Sequence, residues 1–199
     1  MKTEIIIKAK RGMRSMKILV ISGTILGSKT LILAKKIFED IKQLNPSAEV
    51  QLLDLKQFKT ELCDGRMPED YNDDTQRVIK MMTSADIYLI ASPIFHGSIP
   101  GVLKNIFDLV PANVFEYKIF GVIANGGNDK HYLVIENQLK PIISYFKSYV
   151  AVQSVFAHNG HFNQNNELID IDVKGNLKKL ANEVLALHQK FNLKVETKR

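Results

Sequence analysis

Lys17-Ile18-Leu19-Val20-Ile21-Ser22-Gly23-Thr24-Ile25-Leu26-Gly27-Ser28-Lys29-Thr30 is the stretch on which the fold turns. After its lysine, the run to Ile21 is continuously apolar rather than alternating, as expected of a strand buried on both faces. Ser22-Gly23 ends the run. Beyond Ser28, the residues Leu31, Ala34, Ile37, Phe38 and Ile41 share one helical face until Asn45-Pro46 stops the helix. Strand, glycine-containing turn, helix: the rest of the chain repeats this order.

Glu49–Leu53, Asp86–Ala91, Lys118–Ala124 and Tyr149–Phe156 read as four further strands. Helices are expected around Val78, Met81 and Met82, over 99–110 with Pro111 as the stop, over 129–146, and over 174–190. Residues 56–73 read as a long irregular loop and 157–170 as a polar connection. Five strands with intervening helices imply a parallel sheet, right-handed crossovers and helices on both faces. In such a sheet a ligand sits beyond the carboxyl ends of the strands, at the switch point.

The 199 residues are 45% hydrophobic and 24% charged, an ordinary globular balance that excludes collagen-like, disordered and disulfide-scaffold classes. Cys63 is the one cysteine, so no internal disulfide forms and a cytoplasmic location is expected. The net charge of +6 is misleading as a nucleic-acid signal. Residues 1–17 carry six basic side chains against Glu4, and 188–199 carry four against Glu196, which leaves 18–187 at −2. We therefore expect no nucleic-acid partner. Residues 1–15 read as a flexible basic extension, 16–192 as a single domain and 193–199 as a basic tail. No run approaches the ~18 apolar residues of a membrane span, so no membrane partner is expected. Three isoleucines before Lys8 are too few for the core of a secretory signal.

The turns after strands one, three and four are the places to look for chemistry. In the first, Ser22, Thr24, Ser28 and Thr30 offer hydroxyls, Lys29 a cation, and the helix start favours an anion. That suits a phosphate, and it also suits an ordinary capped strand–helix turn. Neither Gly-x-Gly-x-x-Gly nor Gly-x-x-x-x-Gly-Lys-Ser/Thr is present, which argues against a dinucleotide fingerprint and a P-loop. In the second, Pro93-Ile94-Phe95-His96-Gly97-Ser98 is stiffened by Pro93 and Pro100, and free N–H groups are expected at 97 and 98. Such a loop can lie along a flat aromatic ligand. Phe95 reads equally as a ring-packing residue or a core anchor. In the third, Asn125-Gly126-Gly127 can turn successive N–H groups outward as an anion-favouring nest, and His131 follows as a cap, a surface residue or a ligand contact.

The stretch from Ser92 to Asp108 resembles the Pro-Glu-Tyr-Asn-Gly-Ser-Ile-Pro-Gly-x-Leu-Lys-Asn-x-x-Asp signature of NAD(P)H-dependent FMN reductases with the flavodoxin-like fold. Pro93, Gly97, Ser98, Ile99, Pro100, Gly101, Leu103, Lys104, Asn105 and Asp108 match, while Ile94, Phe95 and His96 replace the acidic, tyrosine and asparagine positions. Gly126-Gly127, His131 and Leu139-Lys140-Pro141-Ile142-Ile143 are similar to the branch that supplies reduced flavin to alkanesulfonate monooxygenases. An arginine common in the family's first turn is replaced by Ile25 or Leu26, which implies weaker phosphate retention unless Lys29 substitutes.

The resemblance implies an α/β flavodoxin-like sheet of order 2-1-3-4-5 and an enzyme passing hydride from NADPH or NADH to FMN. It places Ser22, Thr24, Ser28, Lys29 and Thr30 at the phosphate. Pro93 to Ser98 then flank the ring, with Asn125, Gly126, Gly127 and His131 at its N1/O2 edge. It also implies a homodimer or homotetramer, a flavin-dependent monooxygenase as a partner, and no catalytic acid–base residue. A quinone or azo compound is an alternative acceptor, and a non-enzymatic FMN-binding electron-transfer or regulatory module is the competing class. His158 and His161 lack a third ligand, so no metal is expected. Cys63 lacks a neighbouring base and is not read as a nucleophile.

Overall fold

The computed structural model describes residues 15–196, the last five as helix backbone only. Five strands, β1 (Lys17–Ser22), β2 (Glu49–Asp54), β3 (Ile87–Pro93), β4 (Ile119–Gly126) and β5 (Tyr149–His158), form one parallel sheet in the order β2-β1-β3-β4-β5. The helices are α1 (Lys29–Leu44), α2 (Asp73–Ser84), α3 (Gly101–Asp108), α4 (Lys140–Tyr145) and α5 (Ile171–Glu196). The backbone of α5 thus runs past the expected start of a tail at 193. Positions 1–14 of the expected extension and positions 197–199 lie outside the described residues.

The strand alternation explains the unbroken apolar runs. Ile18 and Val20 face α1 and α5, where they meet Leu33, Ile37, Leu177 and Leu180. Leu19 and Ile21 face the opposite layer with Val78, Met82, Leu103 and Phe107. Both layers are buried, and each fully buried side chain of this size contributes about 1.5–3 kcal/mol. On the second face Tyr88 stacks on Phe120 at 4.6 Å, with Phe115 edge-on at 5.5 Å. Burial pushes the Tyr88 phenol well above its ordinary pKa. Gly121 permits the closest approach on the first face: a Cβ there would lie 2.6 Å from Leu89 and 3.0 Å from Leu180.

β5 is an edge strand with a register shift opposite Phe120 and Val122. Val152 turns outward at 87% exposure. The N–H groups of Val152 and Gln153 donate to Glu183 of α5 at 2.7 and 2.9 Å. A carboxylate therefore occupies donors that a sheet edge would otherwise offer to another strand.

Two stretches carry detail beyond the sequence expectation. The helix expected over 129–146 is helical without interruption from Asp129 to Tyr145 but changes pitch along its length: a 3₁₀ turn Asp129–Tyr132, a π-helical turn Ile135–Leu139, and α4. Pro141, in the first turn of α4, cannot donate to the carbonyl four residues back and its ring crowds that carbonyl. The wider turn upstream accommodates the missing bond. The loop over 56–73 is irregular as expected apart from two short 3₁₀ turns, and it is strapped down. Asn105 of α3, only 7% exposed, donates to the Glu61 carbonyl at 2.9 Å and accepts from the Cys63 N–H at 2.8 Å. Within the strap the Arg66 guanidinium beside Asp64 holds its carboxyl at about 2.

Candidate active site

All five strands end at one edge, on Ser22, Asp54, Pro93, Gly126 and His158. The three turns singled out above meet there.

The first turn presents the start of α1 to solvent. Ser28 is its N-cap residue and makes no side-chain cap bond, and the first helical turn holds no acidic residue. The orphan N–H groups of that end therefore favour an anion. Ser22 is fully buried, and its Oγ has no partner among the described residues. Two hydroxyls are already committed. Thr24 Oγ1 donates to the Leu26 carbonyl at 2.9 Å and accepts from its N–H at 3.0 Å. Thr30 Oγ1 donates to Asn125 Oδ1 at 2.7 Å. Ile25 and Leu26 stand exposed at 50% and 63%, where the family's arginine is absent.

Lys29 leans toward β5. Its Nζ donates to Asn159 Oδ1 at 2.7 Å and lies 5.4 Å from the centre of the Phe162 ring. A second cation reaches the turn from the other side, since Lys56, just beyond β2, donates to the Gly27 carbonyl. Lys56 and Asn159 were invisible as site residues in the sequence, because no local pattern links them to the first turn.

The second turn is a two-residue hairpin. Phe95 and Ser98 exchange N–H···O bonds at 2.9 and 3.0 Å, with His96 at φ 51° and Gly97 at φ 77°. Two successive positive φ values are the type I′ geometry, usually met by Asn-Gly; histidine is among the side chains that tolerate it. The expectation of two free N–H groups is corrected here. Ser98 N–H is spent inside the hairpin, while Gly97 N–H finds no acceptor among the described residues. Ile94, not Phe95, anchors the turn in the core, and Phe95 stays half-buried outside both core layers. Gln138, absent from the sequence reading, accepts from Ser98 Oγ at 2.7 Å and donates to the Gly97 carbonyl at 3.0 Å.

The third turn is also corrected. Neither Gly126 nor Gly127 has positive φ, so the alternation required for a nest is not formed. Gly126 closes β4, paired with His158. Its glycine is needed for a different reason: a Cβ would lie 2.6 Å from His131 Nδ1. His131 therefore folds over Gly126, with Nδ1 buried and unpartnered among the described residues. Asn125 joins the turns, accepting from Thr30 through its side chain and from Ile94 N–H through its carbonyl at 2.9 Å. Beside it, Tyr132 donates to Glu136 at 3.2 Å, and its phenol is raised by burial and by that carboxylate.

His158 and His161 close the rim with ring centres 3.8 Å apart. Among the described residues no group of three or more His, Cys, Asp or Glu is arranged to hold a metal, and no helix is long and apolar enough to cross a membrane.

Strand order and the position of the open turns define a flavodoxin-like α/β protein. A solved structure of the NADH:FMN oxidoreductase EmoB in its apo form superposes with a TM-score of 0.72 at 22% identity, covering 85% of this chain and 88% of that one. The model of NADPH-dependent FMN reductases matches residues 16–162, and the chain belongs to that family. It is 51% identical over 173 residues to an NAD(P)H-dependent FAD/FMN reductase of Geobacillus thermodenitrificans, covering 87% of this chain and 94% of the relative. It is 30% identical to an FMN reductase (NADPH) of Pseudomonas aeruginosa over 86% of this chain and 91% of the relative. The chain is thus an enzyme, an NAD(P)H-dependent flavin reductase, rather than a non-enzymatic flavin-binding module.

Proposed function

We propose that this reductase binds FMN across the three carboxyl-edge turns and delivers reduced FMN to a separate flavin-dependent monooxygenase. The observation that carries the reading is the pairing of two unlike ends in one mouth. One end is the uncapped, acid-free start of α1 above the orphan Ser22 hydroxyl. The other is the exposed turn of His96 and Gly97, whose two N–H groups have no acceptor among the described residues. A phosphate suits the first and a flat ring edge the second. FMN, when bound, supplies the acceptor that takes a hydride from the nicotinamide and a proton from solvent, leaving the oxidised nicotinamide.

The chain's own residues bind, orient and shield. Ser28 and the first N–H groups of α1, with Lys29 and Lys56 to either side, hold the phosphate; Thr24 and Thr30 hold the turn itself. Pro93 to Ser98 flank the ring, Phe95 offers the apolar contact, and Asn125, Gly126, Gly127 and His131 line its far edge. No side chain acts as acid or base, so His131→Ala retains hydride transfer once FMN is saturating. The exposed Tyr132, Leu133 and Tyr145 serve a homodimer or homotetramer, and a cytoplasmic setting provides the reduced nicotinamide. Relatives named as NADH-dependent FMN reductases SfnF and SfnE support FMN as the flavin that is reduced.

The test is steady oxidation of NADPH or NADH by the purified protein with added FMN, read with flavin fluorescence. Turnover with saturable FMN quenching is expected, and the ratio of rates identifies the nicotinamide. Turnover without saturable FMN binding overturns the placement of FMN in this mouth.

A further inference from the structure

The His96-Gly97 turn projects from the sheet edge with little of its own to hold it. His96 and Gly97 are exposed, and only Ile94 below them is seated in the core. The two hydrogen bonds between Phe95 and Ser98 close the hairpin but do not fix its tilt over the mouth. What fixes it comes from 40 residues away. The Gln138 side-chain amide accepts from Ser98 Oγ at 2.7 Å and donates to the Gly97 carbonyl at 3.0 Å. One planar group with a donor and an acceptor side by side thereby grips two successive residues of the turn.

Gln138 is itself well founded. It lies in the Ile135–Leu139 turn, whose ends Ile135 and Leu139 are fully buried. With the Gly97 carbonyl bonded to Gln138 and Ser98 N–H spent on Phe95, the peptide between His96 and Gly97 keeps its N–H free of acceptors among the described residues. His96 N–H is the turn's other donor left without an acceptor there.

We propose that Gln138 is a positioning residue: it sets the His96-Gly97 turn at the height at which Gly97 N–H meets the edge of the flavin ring. This rests on the placement of FMN given above. The grip needs both halves of an amide. Glutamate at 138 matches the shape and keeps an acceptor for Ser98, yet it sets a carboxylate oxygen against the Gly97 carbonyl. The isosteric change therefore fails as fully as truncation does.

The experiment measures binding of FMN and of lumiflavin, the ring without ribityl phosphate, by fluorescence quenching in wild type, Gln138→Ala, Gln138→Glu and Ser98→Ala. The expected result is about tenfold weaker binding of both flavins in each Gln138 variant. Ser98→Ala loses less, and the double variant Ser98→Ala/Gln138→Ala is no worse than Gln138→Ala alone. Melting curves near wild type separate this from a folding defect; should Gln138→Ala melt early, Ser98→Ala carries the same test from the other partner. Wild-type lumiflavin affinity in Gln138→Ala, or full retention in Gln138→Glu, overturns the inference alone. A wild-type chain that binds neither flavin overturns the functional reading and the inference together.

Discussion

Thr30 at the start of α1 donates its hydroxyl to the side-chain oxygen of Asn125 at the end of β4, at 2.7 Å across the mouth of the sheet. Because the Asn125 carbonyl also accepts from Ile94, one residue ties the first turn to the second. Thr30→Val keeps the shape and removes the bond, leaving the Asn125 oxygen without its donor. We expect a stability loss of about 1–2 kcal/mol by urea unfolding, with FMN binding weakened several-fold by titration. An unchanged FMN affinity would show that the tie does not set the spacing of the turns.

Lys56 stands on the Gly27 carbonyl where the family's arginine is missing. It is an exposed cation, so its contribution is modest and screened by salt. Lys56→Ala is expected to weaken FMN about two- to fivefold while leaving riboflavin, which lacks the phosphate, unaffected. Raising the salt concentration narrows the gap between wild type and variant. Equal losses for both flavins would place Lys56 away from the phosphate.

Glu183 accepts from two consecutive N–H groups of the β5 edge. In Glu183→Ala those donors return to solvent and the edge becomes available to other strands. A loss of about 1–3 kcal/mol is expected, together with concentration-dependent aggregation by light scattering. A variant as stable and as monodisperse as wild type contradicts the proposed guarding of the edge.

His188 of α5 is half-buried, and burial pushes its pKa below the ordinary value; Asp86 pulls it back up and Lys118 adds to the drop. The folded state therefore favours neutral imidazole, whereas the unfolded chain takes up a proton near pH 6.5. This contribution to stability is complete above about pH 6.5 and is lost as pH falls toward the lowered folded value. Urea midpoints at pH 7.5 and 5.5 should differ more in wild type than in His188→Leu. Equal slopes in the two proteins would remove His188 as the source.

The interior of the sheet was legible because burial on both faces leaves an unbroken apolar run, as in Ile18–Ile21 and Ile87–Ala91. The tight turn after β3 was legible because Pro93, Gly97 and Pro100 punctuate the chain there. What escaped reading depends on distant partners. Gln138 meets Gly97 across 41 positions and Lys29 meets Asn159 across 130, and neither spacing leaves a periodic trace. The segment after β4 was legible as a helix from its apolar spacing, whereas its change of pitch around Pro141 leaves no trace in that spacing. The glycines at 126 and 127 misled because they were read for backbone freedom, whereas position 126 is small to make room for an imidazole.

The seating of α5 against Gly121 has a practical outcome. The helix starts beside the mouth, where Asp170 approaches His161 at 3.9 Å, and descends to the far edge, where His188 feels Asp86. Leu180 packs over Gly121, where an added Cβ would lie 3.0 Å from it, so the glycine lets the helix lie close against the sheet. A fluorophore, affinity handle or electrode linker on the last described turns of α5 is therefore held at the edge of the sheet opposite the three open turns.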